Sequence, residues 1–165
     1  MKKALVILLL APVLLLITGC PTGVDFPLGT KGTEKIEKGM IGTWAQSDSS
    51  MEVMKVTISK ADDYSVKVHV VERGSMYSEE TDDFTGWFTT VDGVNFIYMQ
   101  DQNAADGDYY TYAYKLDGKT LKTYDISLKI GGVDAVTSTE AYRREVSGSL
   151  KMGDALSSET TWTKQ

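Results

Sequence analysis

This chain has little of what most enzyme sites are made from. It holds one cysteine, one histidine and three prolines in 165 residues. A single histidine and a single cysteine cannot build a metal centre of the His/Cys kind. His69 alternates with Lys67, on the strand face opposite Val66, Val68 and Val70, which places it in solvent. A triad needs a partner acid and a nucleophile, and nothing near His69 in sequence marks such a set. The Gly-x-Ser-x-Gly, His-Glu-x-x-His and phosphate-loop spacings are all missing. Basic residues are also short, 17 Lys and Arg against 23 Asp and Glu. That balance argues against nucleic acid, which is bound by a basic face. We therefore expect no catalytic residues, no metal and no cofactor.

What is present begins with an address. Lys2 and Lys3 precede fourteen uncharged residues, Ala4–Ile17. A spanning helix needs about 20 apolar residues, and Pro12 interrupts this run. The stretch has the layout of a cleaved secretory signal over residues 1–19. Ile17-Thr18-Gly19-Cys20 resembles the lipobox of bacterial lipoproteins, an aliphatic residue, a small residue, Gly or Ala, and then Cys. The resemblance implies a diacylglycerol on the Cys20 thiol, cleavage before Cys20, and a further acyl group of the palmitate kind on the new amino terminus. One acyl chain holds a protein to a membrane only marginally, whereas two or three hold it durably. An exported protein with one thiol can form no internal disulfide, and acylation would account for that thiol. The expected place is the cell envelope, on the outer membrane if the host is Gram-negative, because Pro21 stands where a retention aspartate would lie. The domain itself would sit in the periplasm or outside the cell.

Loss of residues 1–19 removes two lysines and leaves 15 basic against 23 acidic side chains, a net of −8 over 146 residues. That length fits one domain, and an acidic body does not dock on anionic headgroups. Residues 20–40 read as the acylated cysteine and a flexible tether, broken by Pro21, Gly23, Pro27, Gly29, Gly32 and Gly39. A tether of this length reaches at most about 65–70 Å. A short helix near Thr33–Lys38 is an option within it.

Residues 41–165 read as a mainly β domain. Alternating runs at Met51–Ser59, Tyr64–Glu72, Phe84–Val91, Val94–Gln100, Tyr109–Leu116 and Lys119–Leu128 are separated by turn residues. Asp92-Gly93 and Asp117-Gly118 are strong hairpin signals. Thr137-Ser138-Thr139-Glu140 offers a capping box for a helix from about Ser138 to Ser147, with Val136 as a staple and Gly148 as a stop. Glu159–Lys164 closes the series as a last strand. The fold class expected is an antiparallel up-and-down meander or barrel of about eight strands, with one short helix before the last strand. An immunoglobulin-like sandwich is the rival, disfavoured because hairpins join neighbouring strands.

Gly42-Thr43-Trp44 at the first strand resembles the Gly-x-Trp signature of lipocalins. The resemblance implies a calycin-type barrel with Trp44 across its closed end and a late basic residue over the ring. Arg143 and Arg144 are the late arginines. A shallow or partly open barrel is equally compatible with such short hairpins.

Three further features bear on a site. Tyr110, Tyr112 and Tyr114 share one strand face, and Phe96 and Tyr98 share a face of the strand before it. With Trp44 they form a candidate surface for an amphiphile, against the plain alternative of cross-strand packing. Glu79, Glu80, Asp82 and Asp83 read as a solvated hairpin tip. Asp101–Asp108 reads as a turn-rich loop, since Ala105, Asp106 and Tyr112 stand where a calcium loop needs an oxygen ligand, glycine and glutamate. The functional expectation is a membrane-anchored lipoprotein that binds a small apolar or amphiphilic ligand. The alternative is an envelope interaction or structural lipoprotein with a packed interior and a protein partner. A cavity of roughly 300 Å³ or more favours the first.

Overall fold

A computed structural model describes residues 23–46, 55–73, 78–102 and 108–165. The signal segment 1–19, Cys20, the first residues of the Met51–Ser59 run, Gly74 and the middle of the 101–108 segment lie outside those residues. Eight strands follow one another along the chain: β1 (Gly42–Gln46), β2 (Lys55–Lys60), β3 (Val66–Arg73), β4 (Glu79–Val91), β5 (Val94–Asp101), β6 (Tyr109–Asp117), β7 (Thr120–Ile126) and β8 (Leu156–Lys164). Each pairs antiparallel with the next, and β8 returns to β1. The result is a closed up-and-down barrel with one helix, α1 (Thr139–Lys151), before the last strand. Closure leaves no free sheet edge for unwanted pairing.

Local chemistry sets the turns. Asp92 and Gly93 both have positive φ, 48° and 81°, as a type I′ hairpin requires. The next hairpin is shifted by one residue from the sequence reading. Asp117 pairs with Thr120, so Gly118 and Lys119 form the turn and Gly118 takes positive φ. Between β2 and β3, the Asp62 carboxylate accepts from the backbone N–H of Tyr64 at 2.7 Å and of Ser65 at 2.8 Å. That side chain–backbone turn leaves Tyr64 exposed and starts β3 two residues later than the alternation suggested. In β8, Ser158 has positive φ at a register slip between Thr123 and Asp125, the mark of a bulge.

The acidic run is not a hairpin tip. Glu79 to Asp83 form the first third of β4 and pair residue for residue with Arg73 to His69 of β3. His69 lies outward as expected, with Nδ1 2.8 Å from Asp83 Oδ1 on the facing strand.

The helix is capped one residue later than the Thr137 box: Ser138 Oγ accepts from Ala141 N at 3.1 Å. It runs past Gly148 because Val146, Ser149 and Leu150 remain packed on the barrel, and the chain turns only at Gly153, φ 75°. Glu145, buried on this helix, accepts from the N–H groups of Ile130 (2.8 Å), Gly131 (3.0 Å) and Gly132 (3.3 Å). Ser149 Oγ accepts from Lys129 N at 2.7 Å. These bonds hold the link from β7 to α1 against the helix.

The barrel therefore has two cores. The inner one joins Met40, Trp44, Ile58, Val66, Val68, Phe88, Ile97, Tyr114, Leu121 and Trp162. The outer one lies between α1 and the outward faces of β4 to β6, and contains Phe96, Tyr98, Val91, Ala113, Tyr142 and Val146.

The stretch expected to be a free tether is, from Gly23 onward, a strap sewn to this outer core. Val24 exchanges backbone hydrogen bonds with Tyr109 at 3.1 and 2.8 Å. Val24 and Leu28 are fully buried. Lys31 Nζ sits 4.4 Å from the Trp87 ring centre, a cation–π contact. Thr89 Oγ1 donates to Glu34 at 2.7 Å, and Arg143 donates to Thr89 Oγ1, the Leu28 carbonyl and the Thr90 carbonyl. Glycines and prolines did exclude regular structure here, but Val24, Phe26 and Leu28 between them pack on the barrel. The strap ends in a 3₁₀ turn, Lys38–Met40, later than the helix considered at Thr33–Lys38.

Candidate functional site

The strap's 3₁₀ turn closes one end of the barrel. Trp44 is wholly buried beneath it and its indole Nε1 donates to the Met40 carbonyl at 2.8 Å. The cation over the Trp44 ring is Lys164, at 5.1 Å from the ring centre, rather than either candidate arginine. Arg143 is occupied on the outside of the barrel. Lys164 Nζ also donates to the Gly39 carbonyl at 2.9 Å, so the last strand ties down the turn that seals the end. Phe88 and Tyr114 meet edge to face just inside, ring centres 5.9 Å apart.

Above this floor the interior is not filled. A cavity of about 530 Å³ runs toward the other end, between Trp44 and Trp162 below and the strand ends above. Its walls are Val56, Ile58, Val68, Val70, Phe84, Ile97, Met99 and Leu121. Tyr110 and Tyr112 line it from β6, and Phe84 meets Tyr110 edge to face at 5.9 Å. Near the mouth the lining turns polar, with Gln46, Glu72, Asp82, Asp101, Asp125, Ser158 and Thr160. These residues gather at one end of the barrel, at the C-terminal ends of β1, β3, β5 and β7 and toward the N-terminal ends of β4 and β8. Trp162 Nε1 donates to Thr123 Oγ1 at 2.9 Å, which fixes that ring against the wall.

Of the six aromatic candidates, the barrel brings Trp44, Tyr110 and Tyr112 to the cavity and puts Tyr114 in the packed inner core beside it. Phe96 and Tyr98 point the other way. The register sets Ile97 opposite Tyr112 and Met99 opposite Tyr110, so the β5 residues across from the tyrosine ladder are the odd-numbered ones. Phe96 and Tyr98 lie fully buried in the outer core, Tyr98 stacked on Trp87 at 5.7 Å. β5 is apolar on both faces, one toward the cavity and one under α1, so alternation could not say which face was inward. Val56, Val70, Met99 and Trp162 were missed; each alternates correctly in its own strand, but only closure joins them.

Among the described residues, the Tyr98 hydroxyl is buried without a hydrogen-bond partner. A buried hydroxyl without a partner costs about 1–3 kcal/mol. Tyr98→Phe is therefore expected to leave ligand binding unchanged and to raise the melting temperature by a few degrees (about 1 kcal/mol being worth several degrees), read by calorimetry.

Burial pushes the Tyr114 phenol up to about 12, with Glu37 and Glu34 adding to the shift. Burial likewise raises Tyr98 and Tyr142. Tyr110 is raised by burial first and then by Asp108, Asp101 and Asp82. A raised tyrosine contributes stability that is complete below the unfolded pKa of about 10 and is lost as pH rises toward the folded value. The barrel is expected to lose stability steeply between about pH 10 and 12. Thermal melts across that range should show it, and Tyr114→Phe should flatten the decline.

No family model, curated protein or solved structure matches this chain. Among the described residues no helix is long and apolar enough to cross a membrane.

Proposed function

We propose that this chain is a membrane-anchored bacterial envelope lipoprotein of lipocalin-like build, whose barrel takes a small apolar or amphiphilic ligand through its open end. The observation that carries the reading is the cavity. Its roughly 530 Å³ falls within the about 300–1,000 Å³ of small-molecule sites, and its walls are apolar with polar groups gathered at the mouth. A structural lipoprotein with a packed interior would have no use for that space. Trp44 beneath a sealing turn, with Lys164 over its ring, matches the arrangement the Gly-x-Trp resemblance implies.

The strap adds an orientation. Val24 pairs with Tyr109, the first residue of β6 and the neighbour of cavity-lining Tyr110. Cys20 lies three residues before Gly23, a span of at most about 10 Å. Acyl chains on Cys20 would hold the mouth of the barrel close to the bilayer, where an amphiphile enters from lipid rather than from water.

Native mass spectrometry of the full lipoprotein, extracted gently from membranes, tests the reading. The expected result is one non-covalent adduct of lipid-like mass per barrel. Bare protein that co-purifies with a stoichiometric polypeptide would favour the interaction reading instead. The anchor is tested separately: Cys20→Ala should leave the membrane fraction in flotation. Its continued flotation with vesicles would contradict lipidation as the attachment.

A further inference from the structure

We infer that the cavity selects amphiphiles whose head carries a positive charge, such as a long-chain amine or a quaternary ammonium; this rests on the ligand-binding reading above. Among the described residues, the charged side chains that line the cavity are all carboxylates: Glu72 on β3, Asp82 on β4, Asp101 on β5 and Asp125 on β7. No lysine or arginine among the described residues lines it. The carboxylates come from four strands around the mouth rather than from one loop. Among the described residues no group of three or more acidic, histidine or cysteine side chains is placed to hold a metal ion. They act as a field of one sign at the opening of a low-dielectric space, which concentrates ligands of the opposite sign.

Aromatic rings reinforce the preference. Tyr110 and Phe84 line the mouth beside Asp82 and Asp101: Phe84 pairs with Asp101 across β4 and β5. Both carboxylates act on the Tyr110 phenol, which puts them within Coulombic range of its ring. An organic cation is attracted to such ring faces, most strongly a quaternary ammonium. Below this rim the aliphatic walls accept an alkyl tail. A fatty carboxylate has the same tail, but its head would meet Asp82 and Asp125 at the mouth, and no lysine or arginine among the described lining residues would receive it. Of the two simplest single-chain amphiphiles, the barrel fits the amine.

Three probes with one ten-carbon tail separate charge from chain: decyltrimethylammonium and decanoate, each below its micellar concentration, and decanol below its solubility limit. Binding to the soluble Cys20→Ala protein is read from tryptophan fluorescence. At low salt the ammonium is expected to bind about tenfold more tightly than the alcohol, a difference of about 1.4 kcal/mol, and the carboxylate more weakly than either. Added salt should compress the spread. The double variant Asp82→Asn, Asp125→Asn should narrow the gap between ammonium and alcohol by at least half on a logarithmic scale, since two of the four lining carboxylates are gone; an unchanged gap would overturn the inference. Both positions are at the mouth, and a thermal melt confirms that the variant folds. Alcohol binding with no preference between ammonium and carboxylate would overturn this inference and leave the ligand-binding reading standing. Failure of all three probes to bind would overturn both.

Discussion

Trp44→Ala is expected to lower the melting temperature by roughly 10–20 °C, because truncating a buried aromatic costs about 3–5 kcal/mol and each kcal/mol is worth several degrees in a domain of this size. Trp44 is fully buried, its indole N–H is bonded to Met40, and Lys164 lies over its face. The substitution therefore removes packing, a hydrogen bond and a cation–π contact at the point where strap, first strand and last strand meet. Trp44→Phe separates the parts. It keeps most of the packing and leaves the Met40 carbonyl without its donor, a loss nearer 1–2 kcal/mol. Lys164→Met should cost a similar amount, since it strips the Gly39 carbonyl and the cation from the same floor. A Trp44→Ala melt within a few degrees of the parent would mean that the sealed end is not held by this residue.

Val70→Trp is expected to abolish ligand binding, at least a hundredfold in affinity, without loss of stability. Val70 points from β3 into the cavity and is only partly buried there. Large-for-small substitutions usually overpack a core and cost about 1–3 kcal/mol. Here the added ring enters open space of about 530 Å³, so it gains apolar contact and displaces only what the cavity would hold. The melting temperature should stay level or rise by a few degrees. Equilibrium titration with decyltrimethylammonium beside a calorimetric melt checks both halves. Loss of binding together with a collapsed melt would point to general damage. Retained binding would place the ligand outside the barrel.

Much of the fold was legible because local rules and the final topology agree. Asp92-Gly93 needed two positive φ angles and has them. Val66, Val68 and Val70 alternate inward, and Ser138 and Glu140 lie at the helix start. Two of the misreadings share one cause, which is that a second layer covers part of the barrel. The strap's buried residues, Val24 and Leu28, are embedded among glycines, prolines and charges, and nothing local distinguishes such a segment from a linker. Phe96 and Tyr98 read as one face of a half-buried strand, but α1 and the strap bury that face from outside. Glu79 to Asp83 carry no apolar residue at all, so no periodicity marks them as strand; pairing to β3 alone orders them. Lys164 could not be chosen over Arg143 without knowing that β8 lies beside β1.

The consequence for the anchor is substantial. A free tether of twenty residues would let the domain range far from the membrane. The strap is pinned from Gly23 onward, three positions after Cys20, with Val24 paired to Tyr109 at the mouth end of β6; on the proposed acylation of Cys20, that end would be the one nearer the bilayer. A flexible spacer inserted between Cys20 and Gly23 should therefore slow ligand uptake from donor vesicles and leave binding from solution unchanged.

The central claim is that the ligand sits inside the barrel, and the positions of the three tryptophans allow it to be tested directly. Trp44 and Trp162 line the cavity, whereas Trp87 packs on the outer face under Lys31. In a Trp87→Phe background, titration with an alkylammonium brominated along its tail should quench tryptophan emission at one ligand per barrel. The complementary protein, Trp87 kept and Trp162→Phe with Trp44→Phe, should show little quenching. Equal quenching in both proteins, or none in the first, would contradict an interior site.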